Sequence, residues 1–261
     1  MKYLFWNTHK NIQINDVLSE IIIENDINMV LLAEYNADSA DLITKVSNQH
    51  LKMQEYPMLS KRIKMFGTIA NIHGGKESDQ YCIRVINNQD IICCVHLNSK
   101  IYNGEADSRE DTVQYILHDI EEKEQEINSE NSIVVGDFNS NPYDNALINA
   151  RYFHGMPIYD IAKSKSRTFN GHEYRMFYNP MWNFLGDADK PYGTYYYSGS
   201  NAINTYWHIY DQVIIRPALK ERFIQDSLKI ITGTKTKSLL NGKGHPDKQY
   251  SDHLPIMFEI K

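Results

Sequence analysis

The chain has 261 residues and a mass of 30.4 kDa, with 42% hydrophobic and 23% charged side chains. That is the composition of a folded protein able to bury one large core, not of a disordered one. Its formal charge of -6 and pI near 5.9 argue against a passive nucleic-acid binder, which carries a basic footprint, but leave room for an enzyme that meets phosphate through a bound divalent cation.

Residues 2–6 read as a strand that ends at Asn7. The run Tyr3-Leu4-Phe5-Trp6 follows a single lysine and precedes no small-residue cleavage site. It is too short for a secretory core, so the cytoplasm is the expected compartment unless a signal has been removed. Ile14, Val17, Leu18, Ile21 and Ile22 fall at helical spacing and predict an amphipathic helix over 13–25. Met29–Leu32 is a second apolar strand that delivers Glu34 at its end, and a second helix is expected from Asp38. Between Ile63 and Leu97 the pattern changes to strands, the clearest being Tyr81–Ile86 and Ile91–His96, with Asn87-Asn88-Gln89-Asp90 as the hairpin turn. Adjacent Cys93 and Cys94 must face opposite sides of their strand, Cys82 lies in the preceding one, and no C-x-x-C spacing occurs. Neither a disulfide framework nor a zinc knuckle is supported, and all three read as small buried hydrophobes. No apolar run anywhere approaches the ~20 residues that span a bilayer.

The longest helix is expected to begin near Ser108, where Ser108 and Asp111 have capping-box spacing, with Val113, Ile116, Leu117, Ile120 and Ile127 as its buried stripe. Its Glu121-Glu122-Lys123-Glu124 run reads as a solvated face. The β-branched strand Ile133-Val134-Val135 then leads into Gly136-Asp137-Phe138-Asn139-Ser140-Asn141-Pro142. Gly136 permits close backbone approach, and Asn141-Pro142 ends pairing. An extended path would put Asp137 and Asn139 on one side and Phe138 on the other. Taken alone, the stretch is equally an Asx turn whose polar side chains bond the local backbone. Asp144–Ala150 reads as a short helix, and strand signals return at 193–198, 210–215, 227–231 and 254–260. With no internal repeat and no low-complexity linker, residues 1–261 are expected to form a single domain of mixed α/β (α+β) class, two packed mixed sheets with helices outside.

The chemistry collects at strand ends. Asn7, Glu34, His96, Asp137 and Asn139 follow apolar strands, whereas Asp211 and Asp252-His253 precede them. If the late strands run antiparallel to the early ones, all of these side chains reach one sheet edge. Carboxylates gathered there would repel one another unless a cation offset their charge. Magnesium suits such a set, because it takes oxygen ligands, needs only one or two carboxylates and keeps water and substrate phosphate in its shell.

Phe5-Trp6-Asn7-Thr8, Leu31-Leu32-Ala33-Glu34-Tyr35, Gly136-Asp137-Phe138-Asn139 and Ser251-Asp252-His253-Leu254-Pro255 occur in that order along the chain. In this they resemble the endonuclease/exonuclease/phosphatase superfamily, the DNase-I-like fold of nucleases, abasic-site endonucleases, inositol phosphatases and sphingomyelinases. The resemblance implies a four-layer α/β sandwich and a Mg2+-dependent phosphoesterase, with Mn2+ able to substitute. It implies Glu34 as principal metal carboxylate, with Asn7 and Asp252 completing or orienting the metal shell. Asp137 would position or deprotonate the attacking water, and Asn139 would hold that water or a phosphate oxygen. His253 would contact phosphate or act as base, oriented by Asp211, and His96 would be a general acid or phosphate donor. Arg109 matches an arginine of the family that can touch phosphate. Each has a plainer reading: helix cap or turn for the carboxylates, a partly buried ring for His96, a surface ion pair for Arg109.

Residues 152–210 are dense in aromatics, including Tyr195-Tyr196-Tyr197 and Trp207. Rings near the rim could stack on bases, although strand alternation predicts that at least one of the three tyrosines is core. Lys229, Lys235, Lys237, Lys243 and Lys248 stand against Asp247 alone in 229–248 and could meet a phosphate backbone, with a solvated loop as the alternative at 241–244. No extended basic groove like that of many abasic-site enzymes and no membrane-inserting hairpin like that of a sphingomyelinase is seen, which leaves nucleic acid, DNA or RNA, as the favoured substrate. A small phosphate ester, inositol phosphate or phospholipid is the alternative, and a non-catalytic binding module is the third.

Overall fold

The structure is a computed structural model that describes residues 1–49, 51–99, 106–187, 190–200 and 202–261, without the side chains of 106–108. In its first half β1 (Lys2–Asn7), α1 (Asn15–Glu24), β2 (Met29–Ala33), α2 (Ser39–Ser47), β3 (Gln54–Glu55), β4 (Ile63–Gly67), β5 (Ile72–Glu77), β6 (Tyr81–Ile86) and β7 (Asp90–His96) follow one another. Then come α3 (Ala106–Glu126), β8 (Ser132–Asp137), α4 (Asn145–Ile148), β9 (Gly155–Met156), α5 (Tyr159–Ala162), β10 (Ser166–Phe169), β11 (His172–Arg175) and β12 (Phe177–Tyr178). The chain closes with β13 (Tyr195–Tyr196), β14 (Trp207–His208), β15 (Asp211–Ile215), β16 (Lys229–Ile230) and β17 (Ile256–Glu259).

Two mixed sheets result, ordered β16-β17-β1-β2-β4-β3 and β5-β6-β7-β8-β15-β12-β9. Each has a parallel pair joined through a helix, β1 with β2 across α1 and β7 with β8 across α3, and β9 with β12 form a further parallel pair at the edge of the second sheet. Each helix-joined pair is flanked by a late strand running the other way, β17 against β1 and β15 against β8. Antiparallel strands begin where their neighbours end, so the ends of β1, β2, β7 and β8 and the starts of β15 and β17 share one rim.

Period-2 alternation sorts the strand residues between two cores. Cys82, Cys94, Ile133 and Val135 join the core between the sheets with Tyr3, Phe5 and Leu31, while Ile83, Cys93, Val95 and Val134 face Val113, Ile116 and Ile120 of α3. Val17, Leu18, Leu42 and Val46 of α1 and α2 cover the other sheet. The layers run helix, sheet, sheet, helix, the sandwich expected. All three cysteines are buried and free, with Cys93 and Cys94 in different cores. Among the described residues no helix is long and apolar enough to cross a membrane.

Some expectations shift. The helix starts at Ala106, so Ser108 lies inside its first turn, and the Ser108 side chain lies outside the described residues. Glu124 is not solvated: it is 4% exposed, accepts from Ser132 Oγ at 2.6 Å and Arg216 Nε at 2.9 Å, and pairs with Arg175. It stands four residues after Ile120 and so falls on the inward stripe, where its charge has to be matched. None of Tyr195, Tyr196 and Tyr197 is core either: β13 is a two-residue strand that forms a separate two-stranded sheet with β14 and, among the described residues, pairs with the rest only through a bridge from Tyr195. The hairpin β10–β11, mostly exposed, carries no apolar alternation by which to find it.

Gly136 shows why β7 and β8 lie so close. Its φ is +154°, and a Cβ there would stand 2.0 Å from the Val95 carbonyl oxygen, its register partner. Gly136→Ala is therefore expected to destabilise the protein by at least about 3 kcal/mol in urea unfolding. A midpoint within experimental error of wild type would refute that close approach.

Candidate active site

Asn7 ends β1, and its Nδ2 donates to Asp137 Oδ2 at 2.9 Å, linking the two sheets. Asp137 ends β8 opposite Asp211, its register partner at the start of β15. Asp211 Oδ2 lies 2.8 Å from His253 Nδ1, and His253 Nε2 lies 3.9 Å from Asp137 Oδ2 and 4.0 Å from Asp252 Oδ1. Trp6 Nε1 donates to the His253 carbonyl at 2.9 Å, and Ser251 Oγ donates to the Asn7 carbonyl at 2.7 Å, so the segment before β17 is pinned to the end of β1. Glu34 follows β2 in a left-handed conformation, φ 50°, with Oε1 3.5 Å from His96 Nε2. His96 Nε2 is in turn 3.8 Å from Asp137 Oδ2. Asn7, Glu34, His96, Asp137, Asp211, Asp252 and His253 thus form one connected array.

The remaining sequence candidates sit differently. Asn139 has φ 46°, so the extended path stops at Asp137; its backbone N–H donates to Asp137 Oδ1 at 2.8 Å and its Nδ2 to the Leu97 carbonyl at 2.8 Å. The Asx turn and the rim carboxylate are the same residue, one oxygen serving each. Arg109 is 5% exposed, and its guanidinium donates to the Asn98 carbonyl and Ser140 Oγ, tying α3 to the loops after β7 and β8. Trp207 lies farther along the edge, edge-on to Tyr196 at 5.4 Å between ring centres.

Two further groups belong to the rim. Arg62, just before β4, places Nη2 3.2 Å from His96 Nε2 and Nη1 3.0 Å from Asn98 Oδ1. Its signal in the sequence was position alone: β4 runs antiparallel to β2, so the residue preceding it stands beside Glu34. Tyr195 packs its ring 4.8 Å from that of His253 and pairs with it through an isolated bridge. Pairing between segments so distant in the chain cannot be read from either.

The two histidines are poised oppositely. Burial disfavours charge on His253, but Asp211 and Asp137 outweigh it and push the pKa up to about 10. Burial pulls His96 down to about 4; Asp137 opposes this and Arg62 adds to it. His96 is therefore neutral at physiological pH and accepts from Arg62 through Nε2, whereas His253 is an imidazolium. Burial raises the Asp137 pKa, although the charged His253 pulls it back.

The donor set fits a hard divalent cation. Asp137, Asp211 and His253 bring candidate ligand atoms within 4.8 Å of one another, but the charged His253 ring has no lone pair to offer, which leaves the carboxylates as ligands. Asp211 Oδ1 and Asp252 Oδ1 are buried and accept no hydrogen bond among the described residues, although Asp252 Oδ1 is 3.2 Å from His9 Nδ1. Orphaned carboxylate oxygens are costly, and an oxygen-seeking cation would satisfy them. A second group, His118, Asp119 and Glu122, already has Lys76 within 2.8 Å of Asp119 and 2.6 Å of Glu122.

Sequence comparison finds no matching family model and no curated relative. Comparison of folds finds several solved structures. A 3'-5' exonuclease (NExo) from Neisseria meningitidis is 12% identical with a TM-score of 0.62, covering 100% of both chains. An AP endonuclease from Archaeoglobus fulgidus is 12% identical, TM-score 0.58, over 100% of this chain and 99% of that one. A NExo 3' phosphatase from Neisseria bound to a product DNA hairpin is 13% identical, TM-score 0.56, over 100% and 99%.

The His253 poise has a measurable sign. Its folded pKa lies above the ordinary value of 6.5, so the charged ring stabilises the fold fully below about pH 6.5, and the contribution is lost as pH rises toward 10. In EDTA, Asp211→Asn is expected to lower the His253 pKa by at least about one unit, read by NMR of the imidazole, and to move this loss of stability to lower pH. A variant that still titrates near the wild-type value would exclude Asp211 as the source.

Proposed function

Starting from the DNase-I-like fold, the architecture of the endonuclease/exonuclease/phosphatase superfamily, we propose that the protein is a divalent-metal-dependent phosphoesterase, and specifically a nuclease that hydrolyses nucleic-acid phosphodiester bonds. The observation that carries this reading is the buried Asp211–His253–Asp137 array with Glu34 and Asp252 beside it. Metal-assisted hydrolysis of a phosphate ester uses a base, cationic donors for the phosphoryl oxygens and carboxylates for the metal, and this set of side chains supports such a reading.

Glu34, Asp252 and the amide oxygen of Asn7 would hold the cation, magnesium by preference with manganese as substitute. When bound, it polarises a phosphoryl oxygen and stabilises the leaving oxygen. Asp137 is the base. Its raised pKa moves it toward the range useful at neutral pH, and Asn7 and the Asn139 N–H fix its orientation. Water attacks phosphorus, its proton passes to Asp137, and the bond from phosphorus to the leaving oxygen breaks. His253, already charged, is a donor to phosphoryl oxygen rather than a proton acceptor, and Asp211 holds its ring. Arg62 supplies a second cation, with the neutral His96 ring and Asn98 holding its guanidinium at the rim. Asn139 and Arg109 act at one remove, by shaping the loops after β7 and β8.

The Neisseria neighbour is described both as an exonuclease and as a 3' phosphatase, which keeps phosphomonoester hydrolysis at a nucleic-acid end as the second reading. A panel of plasmid DNA, single-stranded RNA, a 3'-phosphorylated hairpin and inositol phosphates, each with magnesium or EDTA, separates these. Nucleic-acid cleavage that EDTA abolishes is expected; turnover of inositol phosphates with nucleic acid left intact would overturn the nuclease reading. Groups that merely orient metal ligands contribute 10–100-fold, so Glu34→Gln is expected to lower metal-dependent turnover by more than about 100-fold. Wild-type turnover in that variant would remove Glu34 from the site.

A further inference from the structure

A cleft of about 770 Å³ opens along the edge of the sandwich beside the rim, within the size range of small-molecule sites. One wall is β13 and its continuation, Tyr195 to Ser198; the other is the loop from Asn241 to Lys248; Asp252 lies among the lining residues, and its Oδ1 is 4.0 Å from His253 Nε2. Cleft and catalytic rim therefore share a residue.

Tyr196 and His245 stack face to face with ring centres 3.5 Å apart and planes 13° apart, and Trp207 braces both edge-on at 5.4 and 5.9 Å. Two chain segments about fifty residues apart in sequence thus build one aromatic stack, which a further planar ring can extend only on an outer face. The loop that carries His245 is held in place: Asn241 Oδ1 accepts from the backbone N–H of Lys243 at 2.9 Å and of His245 at 3.3 Å, and the Asn241 N–H donates to the His245 carbonyl at 2.8 Å. Exposed Lys243 and Lys248 line the same cleft, in a protein of net charge -6. Of the other lysines in this stretch, Lys237 is spent on Glu20 at 2.5 Å.

We propose that this cleft is a nucleobase subsite. It takes the base of a nucleotide whose phosphate lies at Asp252–His253, stacks it on an outer face of the Tyr196–His245 pair, and presents Lys243 and Lys248 to the neighbouring phosphate. A planar ring carrying an anion matches a flat aromatic wall edged with ammonium groups, and base–aromatic stacking tolerates any of the bases. The subsite gives selectivity for nucleotides over simple phosphate diesters without base-specific hydrogen bonds. It rests on the phosphoester reading of the rim.

The test uses two diesters with the same leaving group, thymidine 5'-(4-nitrophenyl phosphate) and methyl 4-nitrophenyl phosphate, together with a titration of thymidine 5'-monophosphate followed by tryptophan fluorescence. The base-bearing diester is expected to have a KM lower by roughly tenfold, consistent with one stacked base. His245→Ala should bring the two KM values together and weaken nucleotide binding by a similar factor, while His245→Phe, which keeps a flat ring, should retain the preference. Lys243→Ala/Lys248→Ala should weaken nucleotide binding and flatten its salt dependence. Equal KM values for the two diesters in wild type, with both turned over, would overturn the base subsite and leave the phosphoesterase standing. If neither diester is hydrolysed the catalytic reading falls, and the fluorescence titration still decides the subsite: nucleotide affinity identical in wild type and His245→Ala would overturn it.

Discussion

Carboxylates brought together inside a protein repel one another, and here Asp137, Asp211 and Asp252 all lie within 4.0 Å of one imidazole. The charged ring of His253 makes their company tolerable. It is hydrogen-bonded to Asp211 at 2.8 Å and held by Trp6 through its own carbonyl. Each partner shifts the other, Asp137 and Asp211 favouring the imidazolium while the imidazolium limits the rise of the Asp137 pKa. The compensation is incomplete, since Asp211 Oδ1 and Asp252 Oδ1 stay without hydrogen bonds among the described residues. Among the same residues His96 Nδ1 is likewise buried without a partner, so the polar groups of the rim do not saturate one another.

The sandwich brings these groups together by repeating one device. A parallel pair flanked by a returning antiparallel strand occurs in each sheet, and the two copies place Asn7 and Glu34 on one side, His96 and Asp137 on the other. Side chains from facing sheets then meet across the rim, as the Asn7–Asp137 hydrogen bond shows. The backbone carries part of the strain: Glu34, one residue after β2, and Asn139, two residues after β8, both adopt left-handed φ and turn their chain at the rim. Matched charges also hold the outer layers, where Glu124 gathers Ser132, Arg175 and Arg216 beneath α3.

Poising the two histidines in opposite directions divides their work. His253, among carboxylates, stays charged; His96, beside Arg62, stays neutral. Both rings are buried, and burial disfavours charge on each; it prevails at His96, whereas Asp211 and Asp137 outweigh it at His253. His253 and Arg62 thus put a cationic donor on each side of the rim.

The strands, the helices and the strand-end polar residues were legible in the sequence because they follow from local patterning. Apolar runs of β-branched residues, helical spacing at Ile14–Ile22 and the stop at Asn141-Pro142 each act over a few neighbours. The exposed hairpin β10–β11 and the two-residue strands escaped that patterning, since they bury too little for periodicity to show. The inward turn of Glu124 followed from helical phase but had to compete with the bland appearance of an acidic run. By itself the sequence determined which residues stand at strand ends, and therefore which chemistry could be assembled. Only the tertiary structure decided which of them meet, that Arg109 is spent on Asn98 and Ser140 while Arg62 reaches His96, and that Tyr196 stacks on His245. The reason is physical: strand patterning is set by neighbours two residues apart, whereas charge state and contact at the rim are set by residues up to about 250 positions away, which only the folded sheets bring within hydrogen-bonding distance.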